Sequence, residues 1–592
     1  MERTLDRLPS SLRRYCIEHD AARYSPRDHA AWRYIMRRAH DFFKDHAVST
    51  YQDGFAKVGL RVDRIPHIDE IDQALQTFGW GAVPVVGFIA PWAFIEFQAR
   101  KILPIATDMR TVEHIAYTPA PDIVHEAAGH APILPDKAYS DYLAYYASLG
   151  MKAIYSQQDL RLYEAVRYLS DLKEKPESTP AIIAGAEQRL QETLRAFTSV
   201  SEQALVARMS WWTAEYGLAG SLKSPKIYGA GLLSSVAESK MAITDQVKKI
   251  PLSIDCINYS YNITEPQPQL FVAENMQHLH DVLRALEQKL AYRIGGVASL
   301  VKAVEAQAIT TLVLDTDLAV SGRLVSYEHQ GERIDFVKFA GPVQISRNGH
   351  QLLGHGHERH AHGFSSPLGR LAQKTNKPLA QLSDSELGEV GLVIGHTTGL
   401  KFVSGFEVNG RVLHLTRKEG RVVMISFGDC TVRRGSQVYF EPAWGEFDLV
   451  VGDSIPSVFG GPADREAFGE HEIADATTTP GREVPYTPEE LKLFSHYQTL
   501  RKLREQAAAK DQSHSLLASQ LEELAQDVLK HAPFEWLLQL EIYELCRERL
   551  DAKQLQARWC TVLKQSLDPQ NRPEPTRELL DEGLRLLDSA TH

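Results

Sequence analysis

The stretch PDIVHEAAGHAP, residues 121–132, places His125 and His130 five residues apart, with Glu126 beside the first ring and Gly129 before the second. Two imidazoles this close serve one metal ion only if both rings face it. A spacing of four would stack them on one helical face, as in the HExxH zinc proteases. A spacing of five turns the second ring by about 140° on an unbroken helix of 3.6 residues per turn. A shared ion therefore asks the helix to end between them. Gly129 is the residue that readily takes the left-handed turn that ends helices.

A third ligand is needed, and RMSWWTAEYGLAG (208–220) offers Glu215 among Trp211, Trp212, Tyr216 and Leu218. A carboxylate in such company is costly to bury unless it is paired or metal-bound. Two neutral imidazoles and one carboxylate form the facial triad of non-haem Fe(II) oxygenases, which leaves half of the octahedron open for O₂ and substrate. Zinc takes the same donors, and a zinc hydrolase would use Glu126 as general base toward a metal-bound water. Spacing alone leaves both readings standing.

The bulk of the chain narrows the class. Its 592 residues predict several domains, and 43% hydrophobic with 24% charged residues is ordinary for globular protein. A net charge of −11 argues against non-specific nucleic-acid binding, which needs clustered Lys and Arg. Cys16, Cys256, Cys430, Cys546 and Cys560 are scattered without CxxC spacing, which fits a reducing compartment. The N-terminus shows no signal-peptide apolar core. The most apolar window, 82–95, is too short for a bilayer and carries two prolines. These features predict a cytoplasmic protein that binds no membrane.

Residues 1–300 read as mostly helical. DHAAWRYIMRRAHDFFKDHAVSTYQDGFAKV (28–58) sets Trp32, Ile35, Ala39 and Phe42 on one face. From 309 to 460 short alternating strands predict a β-rich domain, with Asn409-Gly410 and RKEGR (417–421) as hairpin turns. Within it the histidine-rich GHGHERHAHGF (354–364) fits no defined metal spacing and reads as a surface loop. Residues 461–485 read as linker. TPEE (487–490) signals a helix start, opening a helical region over 486–592 that is suited to docking or self-association. Its leucines 517, 521 and 524, with Val528, fit the buried face of a small bundle better than a coiled coil.

Beyond these patterns, several blocks in order resemble the pterin-dependent aromatic amino acid hydroxylases. They are VDRIPHIDEIDQAL (62–75), VPVVGFIAPWAFIEF (83–97), TPAPDIVHEAAGHAPIL (118–134), WWTAEYGL (211–218), IYGAGLLSSVAES (227–239) and NITEPQPQLFVAEN (262–275). The resemblance spans about 25–290 and is nearest to the enzymes that act on phenylalanine. It implies a mostly α catalytic domain using Fe(2+), O₂ and tetrahydrobiopterin or a related tetrahydropterin to convert phenylalanine to tyrosine.

By that resemblance His125, His130 and Glu215 hold the iron, and Arg110 grips the substrate carboxylate. Thr118 and Ser234 lie near the amino acid or the first imidazole, and Pro121, Trp211, Tyr216 and Gly231 line the ring pocket. Phe94 stacks on the pterin, the backbone of Gly87, Phe88 and Ile89 bonds to it, and Glu126 meets it through water. Glu238 is an acid in the surroundings of the iron ligands. Departures stand at Ser210, Ala120 and Pro104, where the family commonly has tyrosine, glutamate and histidine. Ile263 argues against tyrosine as substrate but is shared with tryptophan hydroxylases, whereas Glu265 resembles the phenylalanine enzymes. A tryptophan hydroxylase and a catalytically inert sensor of pterin or amino acid are the alternatives.

Overall fold

In the computed structural model the helix that follows Pro121 does not end at Gly129. Val124–His130 forms one π-helical segment, followed at once by the 3₁₀ turn Ala131–Ile133. Described residues are 3–85, 89–116, 121–174, 178–262, 266–469, 487–509, 514–549, 561–571 and 576–589. The chain divides into two units, one of residues up to 145, 209–280 and the described ones from 487 onward, the other of 146–208 and 281–469. The grouping thus differs from the linear order of the domains expected above.

The first unit is built on the helix Pro26–His46, begun by Pro26 and a reciprocal cap between Ser25 and Asp28. Trp32, Ile35, Ala39 and Phe43 are buried on it, while Phe42 is half-buried. The expected long helix breaks after His46 and resumes as Ser49–Lys57, where Gly54 meets Pro132 so closely that any Cβ would clash with its carbonyl. The apolar window 82–95 divides between the strand Gly81–Val85, paired in parallel with Ile102–Ala106, and the helix Pro91–Ala99.

The C-terminal helices belong to this same unit. Thr487 and Glu490 cap each other at the start of Pro488–Ala509, as TPEE predicts. Leu517, Leu521, Leu524 and Val528 on His514–His531 are all buried, so this seam is used within the chain's own bundle. Trp536–Arg549 and Thr576–Ser589 dock on Pro26–His46 through buried charge pairs. Arg33 meets Glu541 at 2.6 and 2.7 Å in a bidentate fork, and Arg38 meets Glu582 at 2.5 Å.

In the second unit Glu202 is buried and accepts bonds from Ile154 N at 3.1 Å, Ala291 N at 2.7 Å and Lys302 Nζ at 2.8 Å, tying three helical segments together. Two antiparallel sheets follow. The first runs His350–Gln351, Arg333–Arg347, Leu318–Gln330, Ile309–Val313, Ser457–Gly460, with Gly363–Pro367 also on Arg333–Arg347. The second runs Thr397–Lys401, Phe406–Lys418, Arg421–Arg434, Gln437–Phe440, with Phe447–Val450 also on Arg421–Arg434. Phe336 of the first sheet stacks on Phe406 of the second at 5.0 Å, within their shared core.

One expected turn holds and another does not. Glu419 and Gly420, both at positive φ, turn Phe406–Lys418 into Arg421–Arg434. Asn409-Gly410 instead sits inside Phe406–Lys418, at a register shift, with Gly410 packed against Cys430. The turn lies earlier, where Gly405 takes positive φ. Of the expected linker, 461–469 carries the short helix Arg465–Phe468, and 470–486 lies outside the described residues.

Candidate active site

A π-helix closes its hydrogen bonds between residues five apart, so a spacing of five brings two side chains to one face. Ala131 N bonds Glu126 O in this register, and Pro132, which has no N–H, follows. The rings of His125 and His130 lie 5.0 Å apart and nearly perpendicular. Gly129 keeps an ordinary φ; its role is close approach, since a Cβ there would stand 2.7 Å from the Ala230 carbonyl oxygen. The expected glycine-ended helix is therefore replaced by a continuous one of wider register.

Glu215 reaches the pair from a second π-helical turn, Trp211–Glu215, where Tyr216 N bonds Trp211 O at 2.9 Å. Its carboxylate lies 3.4 Å from His125 Nε2 and 3.2 Å from His130 Nε2, and all three ligand atoms fall within 4.8 Å of one another. Neither ring nitrogen of His130, which is 1% exposed, has a well-aligned hydrogen bond. Burial opposes charge on both His130 and Glu215, yet their attraction overrides it, holding the His130 proton on and the Glu215 proton off. A metal ion at this place displaces that proton and takes the same attraction.

The neighbouring side chains fix this geometry. Ser234 Oγ gives its hydrogen to Gly231 O at 3.1 Å and lies 3.1 Å from His125 Nδ1. Having donated its single proton, the hydroxyl accepts from Nδ1–H, so Nε2 carries the free lone pair toward Glu215. Burial pushes the His125 pKa down to about 4, which keeps that ring neutral.

Sequence reasoning missed Asp122. It is 2% exposed, accepts His125 N at 3.0 Å and forks onto Arg110 at 2.7 and 2.8 Å. Its position three residues before His125, as a cap on the turn that carries both histidines, was the available signal. Arg110 also donates to Ser234 O at 3.1 Å. Three of its five N–H groups are thus used, and one on each terminal nitrogen is left.

The remaining predicted residues divide. Glu126 is buried with Oε2 unpartnered, and burial raises its pKa to about 8, so it stands protonated at neutral pH. Tyr216 stacks on Trp211 at 4.6 Å and donates to Glu238 Oε2 at 3.3 Å, so Glu238 reaches a phenol rather than an imidazole. Gly231 has no room for a Cβ beside the Tyr216 ring at 2.9 Å. Phe94 and Ile89 are half-buried at the helix Pro91–Ala99, and Pro121 is exposed. Gly87, Phe88, Thr118, Ala120, Ile263 and Glu265 lie outside the described residues.

The sequence profile of the biopterin-dependent aromatic amino acid hydroxylases matches residues 14–165 and 192–305. Over those residues, a little under half of the chain, it is similar to that family. The break in the match falls on the helices Gln157–Glu174 and Pro180–Arg195. The phenylalanine-4-hydroxylase of Pseudomonas aeruginosa is 28% identical over 258 residues, 43% of this chain and 81% of its own. That of Vibrio cholerae is 28% identical over 45% of this chain and 77% of its own. A crystal structure of the Chromobacterium violaceum phenylalanine hydroxylase, with bound iron(III) and 7,8-dihydrobiopterin, aligns at 24% identity over 47% of this chain and 86% of its own. Its TM-score is 0.37.

Proposed function

We propose that this domain hydroxylates the ring of free phenylalanine to give tyrosine, with Fe(2+), a tetrahydropterin and O₂. The observation that carries the reading is the convergence of His125 Nε2, His130 Nε2 and Glu215 on one point. Relatives named for this reaction, covered over most of their length, supply the substrate. The donor set fits ferrous iron, since two imidazoles, His130 giving up its proton on binding, and one carboxylate suit it. The unpartnered Glu126 Oε2, able to donate a proton when neutral, fits a bound pterin.

Together iron and pterin supply the activation of O₂ that no protein side chain can provide. The chain supplies placement. Asp122 and Ser234 hold the His125 ring from its backbone and its Nδ1 side. Arg110, held by Asp122, keeps N–H groups for a substrate carboxylate. Trp211, Tyr216 and Gly231 shape an aromatic wall, and Phe94 with the 87–89 segment serves the pterin.

The cytoplasm suits four described cysteines that form no disulfide, and no described helix is long and apolar enough to cross a membrane. Self-association through the C-terminal helices would have to use faces other than the buried leucine seam. The test is turnover of the purified full chain with Fe(2+), tetrahydrobiopterin and phenylalanine. Tyrosine is expected; hydroxylated tryptophan in its place would move the substrate, and pterin binding without product would make the protein a sensor.

A further inference from the structure

The histidine-rich segment is not a free surface loop. His355 O accepts Ile345 N at 2.9 Å and His360 O accepts Val343 N at 3.2 Å, so both residues are pinned to the strand Arg333–Arg347. His355 N bonds back to Leu352 O at 3.0 Å, and Gly363 N to His360 O at 3.3 Å. Across from them Asp448 sits on Phe447–Val450, opposite Ser426 in the second sheet.

These three side chains converge. Asp448 Oδ2 lies 3.7 Å from His355 Nδ1 and 3.8 Å from His360 Nε2, and the ligand atoms all fall within 4.8 Å of one another. Asp448 is 3% exposed and His360 8%, while the His355 side chain is 14% exposed. His355 Nδ1 and His360 Nε2 are buried without a hydrogen bond. Their distances to Asp448 are too long for one. They are near the ~3.4 Å that separates two donors bound at about 2.0–2.1 Å to one tetrahedral ion. In the hydroxylase triad the corresponding gaps are 3.4 and 3.2 Å.

A competing account makes Asp448 merely the counter-charge of Arg359, whose Nε and Nη2 lie 2.8 and 3.3 Å from its two oxygens. That account leaves two buried imidazole nitrogens aimed at the same oxygen with nothing to bond. Arg359 is in any case shared with Glu446 at 2.9 Å, and Ser426 Oγ donates to Asp448 at 2.5 Å. Such outer contacts orient a metal-binding carboxylate.

We propose that His355, His360 and Asp448 form a second metal site, separate from the hydroxylase triad, that takes Zn²⁺ and joins the 352–362 segment to the second sheet. Two imidazoles and one carboxylate suit zinc, and three protein ligands leave its fourth position to water.

The test uses the full chain, stripped by chelator and then titrated with Zn²⁺, with His130→Ala silencing the triad. His130→Ala should retain one equivalent of zinc by elemental analysis, and zinc should raise its melting temperature. Adding His360→Gln, or the less buried His355→Gln should the first not fold, should weaken that binding more than 100-fold, beyond the ~10–100-fold that outer-contact changes cost. His362→Gln, an exposed neighbour on the same segment, should change nothing. Zinc binding in His130→Ala that survives both ligand substitutions, or no zinc at all, would overturn the proposal.

Discussion

Ser234 Oγ stands 3.1 Å from His125 Nδ1 while donating its own hydrogen to Gly231 O. One hydroxyl therefore selects the tautomer of the His125 ring and ties it to the glycine that makes room for the Tyr216 ring. Ser234→Ala should weaken ferrous-iron affinity by about 10–100-fold while leaving the fold intact. Competition with a coloured chelator measures this; unchanged affinity would mean that Ser234 does not orient the ring.

Arg110 and Asp122 form a buried fork beside the turn of His125 and His130. Asp122→Ala strands a buried guanidinium and releases His125 N, and should cost about 3–5 kcal/mol of stability. Arg110→Lys keeps the charge but loses the fork, and should raise KM for phenylalanine more than it lowers kcat. Urea unfolding and steady-state kinetics check the two.

Gly129→Ala would place a methyl 2.7 Å from the Ala230 carbonyl oxygen. Overpacking at such a contact costs about 1–3 kcal/mol. Because the strain falls between the two histidines, loss of iron should exceed loss of stability when iron content and melting temperature are compared.

The Arg33–Glu541 pair gives a dependence on pH. Burial opposes the charge, but Arg33 and Arg504 hold the Glu541 pKa down to about 2 from 4.5. With the folded value depressed, its stabilisation is present in full above pH 4.5 and fades as pH falls toward 2. The loss is about 3 kcal/mol at most. Glu541→Gln should be less stable at pH 7 and should show a flatter decline below pH 4.5 in guanidinium titrations. Parallel pH profiles would contradict this role.

Much of the site was legible because it is local. His125, His130 and Glu215 lie in short distinctive stretches, and the helix start at Thr487 follows from its own four residues. What misled was register. Gly129 was read as a helix end and Gly410 as a hairpin turn, although each is there for close packing against Ala230 and Cys430, which only the folded chain supplies. Asp122 was passed over because its partner Arg110 is twelve residues away. The role of His355 and His360 was hidden more deeply, since Asp448 joins them from another sheet.

The most direct measurement is anomalous diffraction at the iron edge from crystals of the Fe(2+)-loaded protein. The account predicts a peak about 2.0–2.2 Å from His125 Nε2, His130 Nε2 and a Glu215 oxygen. Iron bound elsewhere, or Glu215 turned away from the ion, would contradict it.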